Sequence, residues 1–171
     1  NGHGFGGIVG YHFATGAATL TINTCKNTGS VEKLGGAASD HHIGGIVGSL
    51  FTTTVTATIS DCFNTGNVTY ANGSDWANNR YCYTAGVVGH FNSKGEIVRC
   101  SNSGTITNKF ATSAGTGIRV GGIVGNTMTA TITDCTNSGA VKDESTGNGG
   151  YIGGIVGWIH TNKGVLTNCD N

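Results

Sequence analysis

The chain has no proline, a single methionine and few charges: 11% of its residues are charged, and nine basic residues balance nine acidic ones. Disordered segments are typically rich in proline and charge, so disorder is a poor description of this sequence. No basic patch points to nucleic acid, and no cationic amphipathic stretch points to a membrane surface. No apolar run approaches the roughly 20 residues of a membrane span, so no membrane insertion is expected. Nothing shows helical periodicity. The first residue is Asn1, with no signal sequence before it, so the sequence reads as a processed product or a window from something longer.

The usual marks of catalysis are also missing. No Cys-x-x-Cys pair offers zinc-ligand spacing. No nucleophile elbow, paired-carboxylate site or helix-opening phosphate fingerprint occurs. His41-His42 is the one histidine cluster. Adjacent residues of an extended segment point oppositely, so the pair reads as solvated loop histidines. No enzyme, metal or cofactor is expected.

What is present is repetition. Gly accounts for 31 of 171 residues, more than twice the average usage of about 7%. Gly-Gly-Ile-Val-Gly occurs at residues 6–10, 44–48, 121–125 and 153–157, with Ala-Gly-Val-Val-Gly at 85–89. Each block is followed by a cysteine: Cys25, Cys62, Cys100, Cys135 and Cys169, spaced 37, 38, 35 and 34 residues apart. Three residues before each lies Ile22, Ile59, Ile97, Ile132 or Leu166. Two after lies Asn27, Asn64, Asn102, Asn137 or Asn171, and Gly29, Gly66, Gly104 and Gly139 follow. A period of 20–50 residues marks solenoids and propellers. The repeats divide a single domain, 1–171, at about 5–42, 43–84, 85–119, 120–151 and 152–171.

The expected fold is all-β: a right-handed parallel β-solenoid of about five coils, with variable loops on one side. Equivalent residues then stack at about 4.8 Å. Asparagine suits such a column because each amide donates to the next and accepts from the last. The glycine two positions later suits a corner needing positive φ. The cysteine column reads as a reduced, buried ladder, because parallel in-register side chains fit disulfide torsions poorly. Cys82 stands apart in the second variable stretch. A propeller, with blades of about 40–45 residues, is the competing fold.

The Gly-Gly-Ile-Val-Gly blocks with their downstream Cys-x-Asn-[Thr/Ser]-Gly-x-[Val/Ile] resemble the GLUG-motif repeats of bacterial surface proteins. The resemblance covers nearly the whole chain outside the variable stretches. It implies a non-catalytic part of a large secreted or cell-wall protein, such as an adhesin, and carries over no catalytic residues. An extracellular or cell-surface location also fits the low charge and the sequons at Asn67 and Asn72, both candidate glycosylation sites.

Two features bear on assembly. Unbroken strand alternation would place Val of each block inside and Ile8, Ile46, Val87, Ile123 and Ile155 outside, as an apolar stripe for loops or another subunit to cover. The chain stops at Asn171, two residues past Cys169, and Asn1-Gly2 placed after it restores the motif. The expected partner is therefore another copy, stacked head to tail into a filament, or flanking repeats of a longer chain. A heterologous contact of this kind does not close. The alternative is an adhesin module that binds a glycan or host protein through its variable loops, with Trp76, Tyr81 and Tyr83 as contacts. A Thr-x-Thr array (Thr19/Thr21, Thr56/Thr58, Thr129/Thr131) resembles an ice-binding lattice, but Lys94/Glu96 and Lys163/Val165 interrupt it.

Overall fold

Branched residues and glycine-rich bends give the described part of this chain its strands and corners. The computed structural model describes residues 3–34, 40–71, 81–109, 117–145, 150–160 and 163–171, without the Thr53 side chain. Among these there is no helix, and every strand pairing is parallel. The fold is a parallel β-solenoid whose coils contribute in turn to four sheets. The first sheet stacks His3–Gly6, His41–Gly44, Cys82–Ala85, Ile118–Gly121 and Gly150–Gly153. The second stacks Val9–Phe13, Val47–Ser60, Val88–Val98, Val124–Thr127 and Val156–Ile159, joined by Ala18–Asn23, Thr131–Thr133 and Val165–Thr167. The third is narrow: Lys26–Asn27, Phe63–Asn64, Ser101–Asn102 and Thr136–Asn137. The fourth holds Val31–Lys33, Val68–Tyr70, Ile106–Asn108 and Val141–Asp143. Four coils thus enter all four sheets. A fifth enters the first two and touches the third through one bridge, Thr136 to Asp170. The count is four full turns plus a partial one, not five.

Two cores run along the axis. One collects Ile22, Ile46, Val47, Leu50, Ile59, Phe91, Ile97, Ile123 and Ile132 with the buried cysteines. The other lies between the first and fourth sheets and holds Ile43, Val68, Tyr70, Cys82, Ile106, Ile118 and Val120.

The expected outward Ile stripe does not exist. Ile46, Val87 and Ile123 are fully buried, as are their neighbours Val47, Val88 and Val124. The reason is a bend. The chain turns between Gly44 and Val47, leaving the first sheet for the second, and alternation does not survive the corner. Ile155 is partly buried, and only Ile8, in the outermost coil, is exposed.

The glycines have a different purpose from the one expected. A Cβ at Gly44 would overlap the Val47 carbonyl, and one at Gly48 the Phe5 and Gly10 backbones. At these positions the first and second sheets meet backbone against backbone. A Cβ at Gly45 would overlap the Asn64 amide and the Gly86 carbonyl. In the lower corner, Gly66, Gly104 and Gly139 each sit against the carbonyl of the preceding glycine in their column. None of these has positive φ; among described glycines only Gly95 does, at 127°.

The left-handed backbone falls instead on the residue before each cysteine: Thr24, Asp61, Arg99, Asp134 and Asn168, with φ between 51° and 55°. A non-glycine residue in this region carries a cost of about 1–2 kcal/mol, and here the stacked corner imposes it five times. One coil offsets part of it. Arg99 donates from Nε and Nη2 to the two Asp61 carboxylate oxygens, both at 2.7 Å. The pair is solvent-exposed, so its net worth is small.

Candidate functional site

The asparagine column is a continuous hydrogen-bonded ladder. Asn27 Nδ2 donates to Asn64 Oδ1 at 2.8 Å, Asn64 to Asn102 at 2.7 Å, Asn102 to Asn137 at 2.8 Å and Asn137 to Asn171 at 2.8 Å. The second proton of each amide goes to the carbonyl two residues on: Gly29, Gly66, Gly104 and Gly139, at 2.7–2.9 Å. Every inner amide is therefore satisfied on three sides.

The cysteine column lies beside it. All six cysteines are free. Each thiol after the first donates to a carbonyl of the previous coil: Cys62 to Ile22, Cys100 to Ile59, Cys135 to Ile97 and Cys169 to Ile132, at 3.6–3.7 Å. Hydrogen bonding with Cys135 and Cys62, together with burial, pushes the Cys100 thiol far up. The same contacts lower Cys62 and Cys135. Burial raises Cys25 and Cys169. Cys82 is not a loop residue. It opens a strand of the first sheet, in register with His41 and Ile118, and burial pushes its thiol to about 12.

A cleft opens where side chains reappear beyond the glycine contact. Two columns face each other there. Gly4, His42, Tyr83, Arg119 and Tyr151 are stacked on the first sheet. Tyr11, Ser49, His90, Asn126 and Trp158 are stacked on the second. The cleft has a volume of about 390 Å³, and Phe51, Tyr81 and Asp40 stand among its walls.

Its interior is polar and aromatic. His42 stacks on Tyr83 with ring centroids 4.8 Å apart, and its Nδ1 lies 3.2 Å from Ser49 Oγ. His90 meets both rings edge-on, at 4.5 and 5.0 Å. The Arg119 guanidinium lies 3.5 Å from the Trp158 ring and 4.5 Å from that of Tyr151. The histidines are therefore not solvated loop residues. His41 and His42 do point oppositely as expected, but both are buried in a strand, His41 beside Phe5 and Tyr70 in the second core. Among the described residues no group of three His, Cys, Asp or Glu has metal-binding geometry.

Burial lowers the His90 pKa to about 4, and burial and then the charge of His90 hold His42 well below its usual value. In the unfolded chain a histidine takes its proton near pH 6.5. The folded state thus binds fewer protons between pH 6.5 and 4. Stability is complete above pH 6.5 and is lost as pH falls toward 4, by up to about 3 kcal/mol for His90 alone. Denaturant midpoints at pH 7.5 and 4.5 should differ accordingly, and His90→Asn should flatten the difference.

Of the proposed contact residues, Tyr81 is 47% exposed at the cleft rim. Tyr83 is buried in the wall, and Trp76 lies outside the described residues. Asn67 is exposed and its Oδ1 accepts the Thr105 amide at 3.0 Å; Asn72, Asn1 and Gly2 lie outside the described residues. The threonine array is exposed at Thr19, Thr21, Thr56 and Thr131, half-buried at Thr58 and Thr129, and broken, with Lys94 beside Thr56 and Glu96 between Thr58 and Thr131. The cleft itself escaped the sequence reading, apart from Tyr81 and Tyr83. Its signal was there: His42, Tyr83, Arg119 and Tyr151 lie two residues before a block, and Tyr11, Ser49, His90, Asn126 and Trp158 directly follow one.

These observations define a class: a repeat protein built as a parallel β-solenoid, with structural ladders inside and a lined cleft outside. Residues 39–69 and 116–142 match the profile of the GLUG motif, the resemblance seen in the sequence. The search of curated proteins finds no match to this chain, and neither does the search of solved structures.

Proposed function

We propose that this chain is a stiff, non-enzymatic structural element of the extracellular space or cell surface that continues its solenoid by stacking further coils on its ends. Those coils come from second copies joined head to tail into a filament, or from flanking repeats that make it a stalk. The observation that carries this reading is the direction of the asparagine ladder. Every amide donates toward the later coil, so Asn171 presents donors where Asn27 presents an acceptor, and the two faces are complementary. The outer coils also expose columns that are buried inside: Ile8 is 46%, Ile152 52% and Leu166 43% exposed, against 0% for Ile46, Val120 and Ile132. An open solenoid end of this kind ordinarily needs a cap.

Negative-stain microscopy of the chain should show filaments, and Ile8→Lys should abolish them while leaving the melting temperature of the dispersed protein unchanged. Dispersed particles at every concentration would overturn self-stacking. A native mass far above that of one chain would assign the contact to a covalent array. A second reading, an adhesin module contacting glycans or host proteins, is favoured by one observation: Tyr81 and Tyr83 border the cleft. Retention of the dispersed chain on a glycan array, lost in Tyr81→Ala, would support it.

A further inference from the structure

We propose that the cleft between the two sheets binds an acidic sugar ring, a hexuronate-type residue, with its carboxylate on Arg119. The site belongs to the strands of the solenoid, not to the variable loops. It is independent of self-stacking and sharpens the second reading above.

Three side chains lining the cleft each keep a buried polar atom without a partner: Arg119 Nε, His90 Nδ1 and Asn126 Oδ1. The residues are 4%, 6% and 3% exposed. A buried polar group left unpaired costs about 1–3 kcal/mol, so three in one cleft describe a site shaped for something else. They come from two neighbouring coils and from both walls: Arg119 on the first sheet and Asn126 on the second belong to the fourth coil, and His90 on the second sheet to the third.

The charge identifies the ligand's head. Arg119 is a buried cation, and no carboxylate pairs with it among the described residues. Among the described residues its Nη1 donates to the Ile118 carbonyl at 3.0 Å. The guanidinium lies against the rings of Trp158 and Tyr151, which stack on each other with centroids 4.9 Å apart. Its edge remains, and an arginine edge matches a carboxylate with two parallel hydrogen bonds. His42 and His90 are held neutral, so they add no second positive charge. Asp40 stands at the rim, where it accepts the Tyr81 amide at 3.0 Å and forms no ion pair with Arg119. One buried positive charge calls for one negative charge.

The rest of the cleft identifies the body. Asn126 Oδ1 accepts only, so the ligand must bring a donor, as a hydroxyl does. His90 Nδ1 pairs with a second hydroxyl in either tautomer. Phe51 and Tyr81, both exposed at the cleft, offer ring surface to the apolar face of a sugar. A volume of about 390 Å³ holds one or two such rings and lies at the small end of ligand pockets.

The test uses the dispersed chain labelled with nitrogen-15 and follows the Arg119 Nε–H resonance and backbone amides during titration. The probes are galacturonate, a galacturonate trimer, galactose and benzoate. Galacturonate should shift the Arg119 Nε–H signal and bind about tenfold or more tighter than galactose, the margin a charge-assisted pair supplies. Arg119→Gln should erase that margin. Asn126→Ala, a milder change, should weaken galacturonate binding about fivefold or more and leave benzoate untouched. The trimer arm distinguishes an internal polymer residue from a free or terminal sugar, and binding of either supports the proposal. Equal affinity for galactose and galacturonate, benzoate binding as tightly as galacturonate, or an unmoved Arg119 signal with all four probes would overturn it. Because filaments play no part in the measurement, its outcome is separate from that of self-stacking.

Discussion

Asn102→Leu should cost about 4 kcal/mol, roughly half of a typical domain's stability, and abolish a cooperative fold at moderate temperature. Leucine matches asparagine in size, so the loss is almost wholly polar. Asn102 receives a proton from Asn64 and gives one each to Asn137 and the Gly104 carbonyl. Its removal strands three polar groups at a site that is 1% exposed, at about 1–3 kcal/mol each with some relief from relaxation. Asn27→Leu, at the edge of the ladder, also breaks three hydrogen bonds, but two of them end on exposed Gly29, where water replaces them, so it should cost about half as much. Denaturant unfolding of the two variants compares them directly, and equal costs would mean the ladder is not cooperative.

Asn102→Asp separates hydrogen bonding from shape. A carboxylate still accepts from Asn64 but gives nothing to Asn137 Oδ1 or the Gly104 carbonyl, and it faces both as a third acceptor. Its pKa in the folded state must therefore rise above the usual value of about 3.9. The folded state then binds more protons than the unfolded one over that window. Relative to the parent, this variant should be least stable at neutral pH and recover as pH falls toward 4. The parent moves the other way over the same range because of His90, which the variant shares, so the difference between the two stability curves isolates the ladder.

The identical columns were legible in the sequence because stacking at one strand spacing demands that neighbours tolerate themselves. Cys25 to Cys169 and Asn27 to Asn171 declared the register before any coordinate did. The Ile column was misread because alternation was carried through Gly45 and Ile46, where the chain leaves one sheet for the next. The left-handed corner was hidden because its five occupants, Thr24, Asp61, Arg99, Asp134 and Asn168, span four residue types and include no glycine; the stack imposes the conformation, not the residue. The cleft was hidden for a related reason. Its columns repeat in position but not in identity, and a histidine, a tyrosine and an arginine in one column look like loop variation until two sheets face each other. The strands holding them also begin earlier than the blocks suggest, at His41 and Cys82.

Gly86→Ala should cost about 3–4 kcal/mol, while Gly121→Ala should cost only about 1–2 kcal/mol, although each adds one methyl to the same motif. At Gly86 the new carbon would overlap the Gly122 carbonyl and the Asn102 side chain at once. Both are fixed, the first by its neighbours in the coil stack and the second by the ladder, so neither can retreat without breaking hydrogen bonds. All five coils carry glycine here: Gly7, Gly45, Gly86, Gly122 and Gly154. At Gly121 the overlap is with the Val124 carbonyl, across the backbone-to-backbone contact of the two sheets. The third coil already holds Ala85 in that column, fully buried and in register with Gly44 and Gly121. A methyl is thus admitted where the two sheets can part slightly and refused where the ladder forms the wall. Parallel melting of the two variants tests this, and the order should reverse only if the ladder, not the sheet contact, is the yielding side.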